Sequence, residues 1–108
     1  MIIILDSPAT PEQLEQMLLE LKFYIKVAVD IERRILAGGG EMHYDCEQVL
    51  IREGSRQWDI WAAAYMPLTG RMTFDSMVNL RPRQNRSMEI LDANIKERVT
   101  QIITEFLG

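Results

Sequence analysis

Apolar positions along the chain recur with two different periods, and the changes between them predict the order of elements. The opening run "MIIILDSP" reads as a strand over residues 2–5,. "TPEQ" follows, with Thr10 as a helix N-cap, Pro11 at the first helical position and Gln13 three residues on to close a capping box,. Leu14, Met17, Leu18 and Leu21 then recur at helical spacing and form one inward stripe, leaving Glu12, Glu15, Gln16 and Lys22 to solvent,.

"YIKVAVDIERRILAGGG" fits both periods in part. The strict alternation of Ile25, Val27, Val29 and Ile31 with Lys26, Ala28, Asp30 and Glu32, together with its β-branched residues, predicts a strand,. The phase breaks at Arg33 and Arg34, so a hairpin is expected with strands near 25–32 and 35–39, ending on a triple glycine that supplies freedom to turn,. In "HYDCEQVLIREGS", Asp45 is the expected N-cap, Gln48 the other half of a capping box and Tyr44 a staple onto Val49. A short helix over 46–53 should then stop at Gly54,.

The segments "DIWAAAYM" and "RMTFDSMVNL" are joined by the turn former "PLTG", and Met72, Phe74, Val78 and Leu80 share strand parity, so a second hairpin is expected,. "RPRQNRS" reads as a loop and "MEIL" as a short extended piece. Asp92 caps a last helix that turns Ile95, Val99, Ile102, Ile103 and Phe106 to the core,. The resulting order is β-α-β-β-α-β-β-α, an α+β fold in which a mainly antiparallel sheet has helices packed on one face.

Composition narrows the picture without changing it. A chain of 108 residues suits one domain over 1–108, 47% apolar content suits a globular core, and no run approaches the ~18 apolar residues of a membrane span,. One cysteine makes no internal disulfide, and no secretory segment opens the chain, so a cytoplasmic location is expected,. Formal net charge is −4; Arg81, Arg83 and Arg86 contribute +3 within six residues, which leaves −7 elsewhere. Such an acidic chain lacks the broad basic face that nucleic-acid backbones require.

Three stretches, "VDIERRILAGGGEMHYDCEQVL", "GSRQWDIW" and "LRPRQNRSMEI", resemble a family of short prokaryotic proteins, frequent in cyanobacteria, of unknown function. The similarity spans residues 25–107. It implies a bacterial origin and a small stand-alone domain, and it carries over no catalytic or binding residue.

Candidate chemistry gathers in two places. His43 and Cys46, with Glu41, Asp45 and Glu47 nearby, offer too few Cys and His ligands for a structural zinc site, so no metal or other cofactor is expected,. Cys46 at a helix start could be a thiolate nucleophile, but it shares a stripe with Val49 and Leu50 and has acidic neighbours, which favours burial,. The glycines match neither a P-loop nor a dinucleotide fingerprint,. In "RPRQNRS", Arg81, Arg83, Asn85 and Arg86 could present forks and amides to a phosphate or carboxylate, or could pair with the chain's own carboxylates,. Trp58 and Trp61 differ in strand parity, so one should be buried and the other left for a partner,.

Three functional readings follow. The first is a noncatalytic binding or regulatory domain, self-associating as a homodimer or joined to another protein, with an anion site at Arg81–Arg86. The second is a small enzyme acting on an anionic substrate, with His43 as acid or base, Glu41 or Asp45 orienting it and the arginines holding the anion. The third is an RNA-acting module of toxin or antitoxin type.

Overall fold

The computed structural model describes residues 1–108. Five strands form one antiparallel sheet in the order β1-β3-β2-β4-β5: β1 (Ile3–Leu5), β2 (Ile25–Asp30), β3 (Ile35–Gly38), β4 (Ile60–Met66) and β5 (Arg71–Thr73). The helices are α1 (Pro11–Met17), α2 (His43–Arg52) and α3 (Ala93–Leu107), and the α+β order is the expected one. At the centre, β2 pairs with β3 through Val29↔Leu36 and with β4 through Val29↔Trp61.

Strand parity decides what covers the sheet. Ile25, Val27 and Val29 of β2, Leu36 of β3, and Trp61, Ala63 and Tyr65 of β4 pack with Met17 of α1 and with Val99, Ile102, Ile103 and Phe106 of α3. Residues of the other parity, Ala28, Ala37 and Ile60, pack instead against Cys46 and Leu50 of α2. The expectation that all helices share one face is therefore corrected: α1 and α3 cover one face and α2 the other. The central strands β2 and β4 are buried on both sides, and alanines at Ala28 and Ala37 give α2 a shallow seat close to the sheet,.

Local chemistry explains most ends. Thr10 and Gln13 form the reciprocal capping box, with Pro11 at the first helical position. Asp92 accepts from the Asn94 and Ile95 amides at the start of α3. After α2, Gly54 stands at φ +102, its N–H donates to Ile51 and that of Ser55 to Leu50, which is the paired closure of a Schellman motif,. The first hairpin turns earlier than expected, because Asp30 Oδ1 accepts from the amides of Glu32 and Arg33, each at 3.0 Å, and folds the chain back after residue 30,.

Two further expectations are corrected. The second helix starts at His43 after Met42, which has no side-chain cap bond, rather than after Asp45. Asp45 instead lies in the first turn, where its charge suits the positive end of the helix dipole, and Tyr44 is exposed rather than stapled,. In the second hairpin, pairing stops at Thr73, and the chain leaves the sheet through a 3₁₀ turn, Met77–Asn79. There the Asn79 amide takes the place of strand backbone against Ala62 of β4, so Leu80 is left exposed instead of sharing a strand face with Phe74.

Candidate functional site

The departure of residues 74–88 from the sheet opens a cleft beside the N-terminal half of α2. It encloses about 560 Å³ between α2, Lys26 of β2 and the 75–88 segment. Its polar groups are Lys26, His43, Glu47, Gln57, Asp75 and Ser76; its apolar ones include Met42, Met77, Val78 and Met88. His43 and Glu47 stand four residues apart on α2, one turn of helix, and so reach the same cleft,.

His43 Nε2 lies 3.1 Å from the carbonyl oxygen of Ala63. A carbonyl only accepts, so Nε2 carries the proton and Nδ1 keeps its lone pair. Burial, the largest influence, lowers the His43 pKa below 6.5, with Lys26 acting in the same direction and the Ala63 contact and Asp75 opposing it. At neutral pH the ring is therefore an uncharged acceptor of fixed tautomer. Glu47 is buried, and that burial raises its pKa above 4.5, while the Gln57 and Gln48 amides and the Arg81 charge pull it back down. A neutral base and an acid whose pKa is raised thus share one wall.

The cysteine is not part of this chemistry. Cys46 faces the sheet, wholly buried, with Sγ 3.5 Å from the Lys26 carbonyl oxygen, and burial pushes its pKa up to about 11. It packs as a small apolar residue. Glu41 lies exposed before α2, outside the cleft lining, and the Ala63 carbonyl rather than a carboxylate orients His43.

The arginine loop is held mainly by side chains that bond backbone groups of this chain. Arg81 donates to the carbonyl oxygens of Trp58 at 2.6 Å and Gln57 at 3.3 Å and also to that of Ile60, and its guanidinium lies 3.8 Å from the centre of the Trp61 ring. Burial lowers its pKa, and Glu47 and Asp59 raise it. Asn85 is buried, donating to Asn79, Ser87 and Glu89 and accepting from Leu91. Arg86 Nε donates to Pro82, and Arg83 is exposed with no hydrogen bond or ion pair to another residue. None of the three arginines lines the His43 cleft, although the charge of Arg81 reaches Glu47 behind it. Trp61 is the buried tryptophan and Trp58 the exposed one.

Sequence reasoning passed over Lys26, Asp75, Met77 and Met88. Lys26 falls on the alternate face of the expected strand, Met77 in the expected second strand of the later hairpin and Met88 in the short extended piece "MEIL", and none of these placements marks a cleft. Glu47 was legible only if the helix began at His43, because the i, i+4 pairing then puts both on one face.

No match is found among curated proteins or among solved structures. A family profile described as "Protein of unknown function (DUF5674)" matches residues 3–106, nearly the whole chain. By that match the chain belongs to the family of unknown function DUF5674.

Proposed function

We propose that the protein is a noncatalytic binding or regulatory domain whose ligand is a small carboxylate- or phosphate-bearing molecule with an apolar body, held in the His43 cleft. The observation that carries this reading is the pairing of a neutral imidazole and buried Glu47 with a methionine rim. Methionines are ordinarily buried, yet Met42 is 55%, Met77 75% and Met88 39% exposed around one cavity,. Flexible thioethers make an adaptable apolar surface, and a concave apolar site with a few convergent polar groups is the usual form of a ligand pocket.

Lys26 supplies the cation for the ligand's anionic end, and His43 Nδ1 accepts a hydrogen bond from a hydroxyl or N–H elsewhere on the ligand. Arg83 acts outside the cleft, as a surface cation that draws anions toward it. Exposed Trp58 gives the same molecule a surface for a protein partner or a second copy,. The lone buried thiol suits a reducing compartment, so we place its work in the bacterial cytoplasm,; no helix is long and apolar enough to cross a membrane.

A thermal-shift screen of amphipathic carboxylates and phosphates tests the reading, because ligand bound only to the folded state raises the melting temperature. A hit should lose affinity about tenfold or more in Lys26→Met and Met77→Asp. A hit whose affinity both variants leave intact sinks the assignment. One observation favours catalysis as a second reading: His43 offers a free lone pair one turn from an acid whose pKa is raised,. Under it, His43→Gln still binds the hit but abolishes its turnover; under the first reading no turnover is found in either protein.

A further inference from the structure

A second cleft lies at the other end of α2. It encloses about 410 Å³ and is lined by Asp30, Glu32, Arg33, Gly54, Arg56 and Asp59, with no apolar side chain. Asp30 is wholly buried, and only half of its carboxylate is used: Oδ1 takes the turn amides of Glu32 and Arg33, while Oδ2 has no partner at all. A buried charged oxygen without a donor is costly, and native proteins rarely leave one unmatched.

The rim groups differ in how far they are occupied. Arg33 Nη1 donates to the Glu53 carbonyl oxygen at 3.0 Å and to Ser55 Oγ at 3.3 Å, and Glu32 is paired with Arg98 at 3.3 Å. The Arg56 side chain makes no hydrogen bond or ion pair; its guanidinium rests 5.9 Å from the centre of the exposed Trp58 ring. The cleft therefore holds an unfilled acceptor in Asp30 Oδ2 and an unfilled planar donor in Arg56.

Charge selects the class of molecule that fits. The three carboxylates of the lining oppose a simple anion, and its two guanidiniums oppose a simple cation. Nor are the carboxylates grouped as metal ligands, since no cluster of three His, Cys, Asp or Glu residues in the chain is placed to hold an ion. A zwitterion carries a partner for each unfilled group of this one lining.

We infer that this cleft binds a free α-amino acid, its ammonium donating to Asp30 Oδ2 and its carboxylate accepting from the Arg56 fork. Bidentate pairing suits the guanidinium, and the absence of apolar lining selects an amino acid with a small or polar side chain. Glu32, Arg33 and Arg56 of the lining are exposed, so the cleft above buried Asp30 is rimmed by surface side chains. The site shares no lining residue with the His43 cleft.

The test is calorimetric and thermal-shift titration of the full chain with glycine, serine, asparagine and glutamine, beside methylammonium and acetate, which each carry one of the two charges, and beside magnesium and calcium chloride. At least one amino acid should bind saturably, and the single-charge compounds should not. Asp30→Asn keeps an oxygen for the two turn amides and replaces Oδ2 by a donor, so it should fold and lose about tenfold or more in affinity. Arg56→Gln, at an exposed side chain, should lose a similar factor and covers the case in which Asp30→Asn is unstable. Absence of binding by every amino acid tested overturns the inference and leaves Oδ2 to a water molecule. So does amino-acid binding that both variants leave unchanged, or stabilisation by a divalent cation that depends on Asp30.

Discussion

Asn79 grips Ala62 of β4 from both sides of one residue, its Oδ1 accepting the Ala62 N–H at 2.8 Å and its Nδ2 donating to the Ala62 carbonyl at 3.0 Å. A single side chain thus stands in for the backbone of a neighbouring strand at the point where β5 has already left the sheet. The same Nδ2 donates to Phe74 at 2.8 Å and Met88 at 3.2 Å, which ties together both ends of the segment that walls the His43 cleft.

Asn79→Ala should therefore cost roughly 3 kcal/mol, because several buried backbone groups lose their partner without gaining water. Asn79→Asp keeps the acceptor and loses the donors, so it should not rescue stability. Urea denaturation of the three proteins reads the difference. The cleft should loosen along with the fold, which hydrogen exchange at the Ala62 amide would show directly.

How much of this was legible follows from which signals are local. The capping box at Thr10–Gln13, the cap at Asp92, the Gly54 stop and the strand parity of Ile25, Val27 and Val29 are properties of a few neighbouring residues, and the chain adopts them as read. The seat of α2 on the opposite face was written in Ala28 and Ala37, but alanine is ambiguous between a thin contact and an exposed position until the partner helix is known. Asn79 and Arg81 were not legible as structural residues. Both satisfy backbone groups about 17 to 24 residues away, and no periodicity records such pairings. The cleft inherits that blindness, since its far wall is the segment these two residues hold.

Arg81→Lys should be far from conservative. The guanidinium serves the carbonyls of Gln57, Trp58 and Ile60 as a fork and covers the Trp61 ring, whereas an ammonium offers a point charge and no planar face,. A loss of about 1–3 kcal/mol is expected by chemical denaturation. Trp61 fluorescence, isolated in a Trp58→Phe background, should change with it.

Gly39 is the member of the triple glycine that cannot be replaced. It stands at φ +102, and an added Cβ would run into the Met1 carbonyl oxygen and come within 2.9 Å of the Met17 Cα. Both neighbours are backbone, so neither a rotamer change nor a small shift relieves the clash. Gly39→Ala should cost about 3 kcal/mol or more, read as a lower melting temperature.

Cys46 should be silent toward thiol reagents in the native protein and react at once in denaturant. Burial holds its pKa at about 11 and no path of solvent reaches Sγ,. Cys46→Ala removes little volume and should cost about 1 kcal/mol, with ligand binding in the neighbouring cleft retained.

His43 and Glu47 give stability two pH dependences of opposite sign. For His43, burial puts the folded pKa below 6.5, so the unfolded chain binds the proton more readily; stability is full above 6.5 and falls as pH drops from there through the folded pKa,. For Glu47, burial puts the folded pKa above 4.5, so its contribution is full below 4.5 and is lost as pH rises through the folded value,. Between those limits the two contributions have opposite slopes,. His43→Gln should leave stability falling more steeply with rising pH across this interval, and Glu47→Gln should leave it rising more steeply. Urea denaturation midpoints taken from acid to neutral pH separate the two, and curves for both variants parallel to the wild type would remove His43 and Glu47 as a coupled pair of opposite character.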